Sequence, residues 1–118
     1  MVHMSHKGAS QGYSRIVMES DSTEKIPQFI IFAKNALAWK ADGAVVGATQ
    51  PNNITVVKQI LGENVPIFAP GIIAQGASPK DAIKAGADYL IVGRGILLSS
   101  EPEKSAKKIK DEVNSAIK

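Results

Sequence analysis

Two short stretches hold the residues best suited to chemistry: APGIIAQGASP at residues 69–79 and VGRGI at residues 92–96. Each sets two glycines in a turn after an apolar run and before a helix signal, Gly71 and Gly76 in the first, Gly93 and Gly95 in the second. Glycine lets a backbone come close to a ligand and aim its N–H groups inward. A helix that follows adds the positive end of its dipole. Arg94, between the last two glycines, can hold a phosphate through two parallel N–H bonds. Gln75 offers both a donor and an acceptor, enough to bridge a phosphate and a base. Either turn alone would pass for a tight connection. Both together, one with an arginine, point to a phosphate site.

Other chemistries find little support. There is no cysteine, so neither thiolate chemistry nor a disulfide framework is available, which fits a reducing cytoplasm. His3 and His6 would face opposite sides of a strand, so no metal pair is expected. Ser99 and Ser100 read as a helix cap, not a nucleophile. The net charge is +3, with Lys104, Lys107, Lys108, Lys110 and Lys118 on what should be a solvated helix face. No aromatic-rich basic surface goes with them, so no nucleic-acid partner is expected. The opening MVHMSHKG lacks a signal-peptide core, and no run nears the ~18 apolar residues of a membrane span. A cytoplasmic protein with no membrane partner is the expectation.

The elements that must position the turns repeat. Apolar runs at residues 44–48 (AVVGA), 65–69 (VPIFA) and 88–93 (DYLIVG) lack polar alternation, as expected of strands covered on both faces. They recur about every 22 residues, with helix signals between them. Pro51 suits a first helical position, with Ile54, Val57, Ile60 and Leu61 on one face and Gly62 at the end. Ser78 and Pro79 open a short helix that Gly86 closes, and Ser100 with Pro102 opens the last, with a stripe of Ala106, Ile109, Val113 and Ala116 or Ile117. Upstream, residues 7–21 read as a loop. Asp21 and Glu24 have capping-box spacing, Pro27 falls in a first turn, and Ile26, Phe29, Ile30, Ala33 and Leu37 form a stripe that Gly43 ends. Trp39 reads as a packing residue near that end. Such short β-α units imply parallel pairing with right-handed crossovers. The expected fold is α/β, half of a TIM-type β/α barrel with about the last four β-α units, in one domain of 118 residues.

Taken in order, MSHKGA (residues 4–9), DGAVVGATQP (42–51), APGIIAQGASP (69–79) and AGADYLIVGRGI (85–96) resemble the C-terminal half of an archaeal-type orotidine 5′-monophosphate decarboxylase. The resemblance runs over nearly the whole chain after Met4. It implies a dimeric β/α-barrel enzyme that converts orotidine monophosphate to uridine monophosphate and carbon dioxide without metal or cofactor. It further implies that Ser5 hydrogen-bonds the pyrimidine, that Pro70 and Ile72 lie near it, that Gln75 meets the phosphate side and helps close the lid, and that Gly93 and Arg94 bind the phosphate. A related sugar-phosphate enzyme, such as a hexulose phosphate synthase or a ketogulonate phosphate decarboxylase, and a non-catalytic phosphate-binding half barrel stay open as alternatives. The chain departs from the family pattern at Ile73 and Ala77, where glycines are usual, and at Lys7 and Gln50. A β-branched residue at Ile73 should resist a positive φ, which implies a displaced loop or a less snugly held ligand.

The resemblance also implies a catalytic Lys/Asp array built around D-x-K-x-x-D. No such spacing occurs here; Asp21 with Lys25 and Asp81 with Lys84 come nearest and read as a helix cap and a helix surface. No catalytic residue is therefore assigned, and the isolated chain is expected to be inactive. A half barrel would also expose its interior face, so the expected partners are a nucleotide monophosphate and either a front half barrel or another copy of the chain.

Overall fold

The computed structural model describes residues 1–18 and 23–117. At its centre lies a three-stranded parallel sheet in the order β3–β4–β5, formed by Ala44–Val45, Ile67–Pro70 and Tyr89–Ile91. The register pairs Val45 with Phe68 and Phe68 with Tyr89. A further parallel bridge joins His3 to Val46, so the N-terminal stretch runs as a fourth, minimal strand beside β3. With the helices that follow each strand, this is a partial β/α barrel.

The helices cover one face of the sheet. In β4, Ile67 and Ala69 are fully buried and join Ile54, Val57 and Leu61 of α3 (Pro51–Leu61) and Ala82 of α4 (Pro79–Lys84) in one core. Each large buried aliphatic of this kind contributes about 1.5–3 kcal/mol. Pro51 and Pro79 occupy the first helical positions, and the Ser78 hydroxyl accepts from the Asp81 N–H at 3.3 Å. Gly86, at φ 112°, ends α4 in a Schellman turn: its N–H donates to Ile83 O and the Ala87 N–H to Ala82 O, both at 3.0 Å.

The opposite face is left open. Phe68 and Tyr89 stack with ring centroids 4.8 Å apart, over Gly43, where a Cβ would lie 2.6 Å from the Phe68 ring. Tyr89 is 56% exposed and Ile91 47%. In a closed barrel these residues would fill the interior.

The upstream region differs from the sequence reading. Instead of a continuous loop, it contains a short helix, α1 (Ala9–Tyr13), and β1 (Ile16–Met18) paired antiparallel with β2 (Lys25–Pro27). Pro27 is extended (φ −60°, ψ 140°) and caps α2 (Gln28–Ala38) rather than lying in its first turn. Ile26 matches the helical stripe but is the central residue of β2, where its side chain is still buried. The Asp21 half of the expected capping box lies outside the described residues. Nor does Gly43 end α2: Lys40, at φ 53°, closes a Schellman turn three residues earlier, with the Ala41 N–H donating to Ala36 O. Trp39 is 76% exposed rather than packed, because as the C-cap of α2 it stands where the helix ends and borders an open concavity with Met1 and Phe32. The last helix, α6 (Pro102–Ile117), buries Ile109 of its expected stripe, while Ile117 stays exposed.

Candidate functional site

The ends of the strands bring the sequence-predicted residues together. The chain crosses from Met4 to Ser5 directly against Gly47, where a Cβ would stand 2.6 Å from the Met4 carbonyl and from Ser5 Cα. The Gly47 N–H donates to His3 O at 2.7 Å, and the Thr49 hydroxyl donates to Ser5 O at 2.9 Å. Those contacts fix the Ser5 backbone at the C-terminal end of β3. His3 stiffens the same segment from below: its Nδ1–H donates to Met4 O at 2.7 Å, and its ring is buried between Tyr13 and Phe29.

The first glycine turn leaves β4 at Gly71, at φ 96°. A Cβ there would lie 2.8 Å from Ser5 Cβ and 3.1 Å from Gln75 Oε1. Ser5 and Gln75, distant in sequence, thus converge over a position where only glycine leaves room. The loop is closed by its own bonds: the Ile73 N–H donates to Ala77 O, the Gly76 N–H to Ile73 O and the Ala77 N–H to Gly71 O, at 2.9, 2.9 and 3.2 Å. Ile73 takes φ 61° despite its branched Cβ. The expected resistance to a positive φ is overcome, not obeyed, because this knot of hydrogen bonds over-determines the position, at a cost of about 1–3 kcal/mol.

The second turn follows β5. Gly93 caps the single-turn helix α5 (Arg94–Leu97) with no side chain bonded across the cap. The Ile96 and Leu97 N–H groups return to Gly93 O, both at 3.0 Å, and the Gly95 carbonyl accepts from the Ser105 hydroxyl at 2.9 Å, tying the turn to α6. Arg94 is exposed, and no carboxylate among the described residues pairs with it.

Two concavities adjoin. One, of about 220 Å³, is lined by Pro70, Gly71, Ile72, Gln75, Gly93 and Arg94 among others. The second, of about 330 Å³, is polar and lined by Ser5, His6, Lys7, Ser10, Thr49 and Gln50, with Gln75 again. Gln75 is the side chain common to both. Ile72 borders the first cavity, although only 2% of it is exposed and its side chain belongs to the core. All six sequence-predicted residues therefore line these two concavities, Ser5 and Gln75 the polar one and Pro70, Ile72, Gln75, Gly93 and Arg94 the smaller one. Thr49, Gln50 and Ser10 were not singled out as site residues from sequence, yet the Gln50 amide donates to the Ser10 hydroxyl at 2.7 Å and holds the far wall. The signal for Thr49 and Gln50 was their place immediately after a strand, where β/α barrels build their sites. Chemically, the narrow end offers a cation and open amides to an anion, and the wide end offers hydroxyl and amide groups to a polar heterocycle.

The chain has known relatives. A family profile described as Orotidine 5′-phosphate decarboxylase / HUMPS family matches residues 2–109. The orotidine 5′-phosphate decarboxylase of Pyrococcus furiosus is 38% identical over 113 residues, covering 96% of this chain and 48% of that protein. Among solved structures, the orotidine 5′-phosphate decarboxylase of Pyrococcus horikoshii superposes with a TM-score of 0.74 at 38% identity, over 96% of this chain and 49% of that one. The orotidine 5′-monophosphate decarboxylase of Methanocaldococcus jannaschii, complexed with inhibitor BMP, gives 0.78 at 31% identity, over 95% and 47%. The chain thus spans about half the length of these relatives.

Proposed function

Because the chain belongs to the orotidine 5′-phosphate decarboxylase / HUMPS family, we propose that it supplies the phosphate and base-binding half of an orotidine monophosphate decarboxylase site, for pyrimidine biosynthesis. The observation that carries this reading is the place of Gln75, shared between the cavity of Gly93 and Arg94 and the cleft of Ser5. A 5′-nucleotide has that shape: a dianion at one end, a hydrogen-bonding ring at the other.

In this reading the Arg94 guanidinium and the amides at the start of α5 hold the phosphate. Gln75 spans phosphate and ring and closes over the ligand, the Ser5 hydroxyl bonds the pyrimidine edge, and Pro70 and Ile72 flank the ring. These residues bind and orient; none of them moves a proton. Decarboxylation in this family draws on the Lys/Asp array implied by the resemblance, and D-x-K-x-x-D does not occur in these 118 residues. Binding energy at the phosphate accelerates a reaction only when the reacting carbon is also held. A polypeptide of these residues alone therefore binds without turning over. Its open face, with Val45, Phe68, Tyr89 and Ile91, takes a complementary front half barrel, or a second copy when none is present.

Titration with uridine 5′-monophosphate and with ribose 5-phosphate tests the reading. Clear preference for the nucleotide supports it. Equal affinity favours a sugar-phosphate enzyme or a generic phosphate cradle, and rapid loss of orotidine monophosphate absorbance with clean protein refutes the assigned division of labour.

A further inference from the structure

Ile73 and Gly95 form the contact between the two glycine turns. A Cβ built on Gly95 would lie 3.1 Å from Ile73 Cβ and 3.3 Å from its Cγ2, so the branched side chain rests on the Gly95 backbone. Both partners are held from behind. Ile73 is pinned by bonds to Ala77 and Gly76, and Gly95 by the Ser105 hydroxyl. Ile73 nonetheless holds an unfavourable φ of 61° and remains 46% exposed, so burial of its own side chain does not explain its conformation. What the conformation achieves is the reach from one turn to the other. Two residues beyond Ile73 is Gln75, and immediately before Gly95 is Arg94, the two polar side chains of the narrow cavity.

We propose that Ile73 is a positioning residue: its side chain, wedged on Gly95, sets the spacing between the Gln75 turn and the Arg94 turn, and so the fit of a phosphate monoester between them. This rests on the phosphate reading given above. The fit is one of size, because any gain of bulk at Gly95 must be met by loss at Ile73.

A double-variant cycle on the full chain tests it. The variants are I73G, I73A, G95A and the I73A/G95A pair, read by uridine 5′-monophosphate and inorganic phosphate titration, by melting temperature, and by the amide resonances of Arg94 and Gly95. I73G and G95A should each weaken nucleotide binding by about fivefold or more. I73G should do so without lowering the melting temperature, because it relieves the backbone strain. The I73A/G95A pair should bind better than G95A alone. Movement of the Arg94 and Gly95 resonances in I73G is also expected. Unmoved resonances overturn the wedge whether or not any ligand binds. Affinity that falls only in step with melting temperature overturns it as well, reducing Ile73 to a stability role. If the resonances move but the unaltered chain binds neither probe, the contact exists, the phosphate reading fails, and the positioning role falls with it.

Discussion

Ser5 and Gly71 approach so closely that a Cβ on Gly71 would stand 2.8 Å from Ser5 Cβ. That packing welds the N-terminal segment to the end of β4 and brings Gln75 to the same point. Gly71→Ala therefore meets two obstacles, the clash and a φ of 96°. A loss of about 1–2 kcal/mol in urea unfolding is expected from the backbone alone, together with loss of the preference for uridine monophosphate over ribose 5-phosphate. A variant that keeps full preference would show that Ser5 and Gln75 do not act together.

Arg94 is solvent-exposed and pairs with no carboxylate among the described residues, so removing it should cost binding and spare the fold. Charged hydrogen bonds of this type are worth about 1.5–3 kcal/mol, which predicts a ten- to hundredfold weaker phosphate in Arg94→Ala with an unchanged melting temperature. Arg94→Lys should recover only part, because an ammonium lacks the two-pronged geometry. Calorimetric titration measures both.

Lys58 carries a stability prediction. Its stem crosses Gly86 and its ammonium lies 3.0 Å from Asp88, whose other oxygen accepts the Ile67 N–H at 2.8 Å. Burial pushes the lysine pKa down, but hydrogen bonding and charge from Asp88, then Glu63, outweigh it and leave the pKa raised. A raised folded-state value means the contribution is full at neutral pH and is lost as pH climbs past the ordinary lysine value and through the folded one. Urea midpoints of the unaltered chain and Lys58→Met should differ by about 1 kcal/mol at pH 7 and converge as the pH climbs through the raised folded-state lysine value. A constant difference across that range would contradict the assignment. Asp88→Ala should cost more than Lys58→Met, about 1–3 kcal/mol, since it strands the Ile67 N–H.

The open sheet face predicts association. Tyr89 and Ile91 are about half exposed and lie opposite Phe68 and Pro70 of β4. Light scattering should report a species larger than the 12.5 kDa chain, and Y89D/I91D should shift it toward monomer without loss of helical circular dichroism. A monodisperse monomer for the unaltered chain would count against the half-barrel reading of this face.

The parallel sheet was legible because Ile67, Ala69 and their neighbours are covered on one face by helices and reserved on the other for a barrel interior, which leaves apolar runs at a regular spacing. Caps at Ser78 and Gly86 were legible because their chemistry is local. The β1–β2 ribbon was not: three-residue strands carry almost no periodic signal, and Ile26 happens to fall in phase with the helical stripe of Phe29 and Ala33. At the site, Gly71, Gln75, Gly93 and Arg94 announced themselves by residue type. Thr49 and Gln50 did not, because their roles depend on where Ser5 and Ser10 return in space. The φ of Ile73 was misread for a related reason: local preference opposed it, and a knot of non-adjacent hydrogen bonds prevailed.

Crystals soaked with uridine 5′-monophosphate offer the most direct measurement. The phosphate is predicted between the turns of Gly71–Gln75 and Gly93–Gly95, with the Arg94 guanidinium on it and the uracil toward Ser5. Arg94 turned to solvent, with empty density between the turns at saturating ligand, would contradict the account.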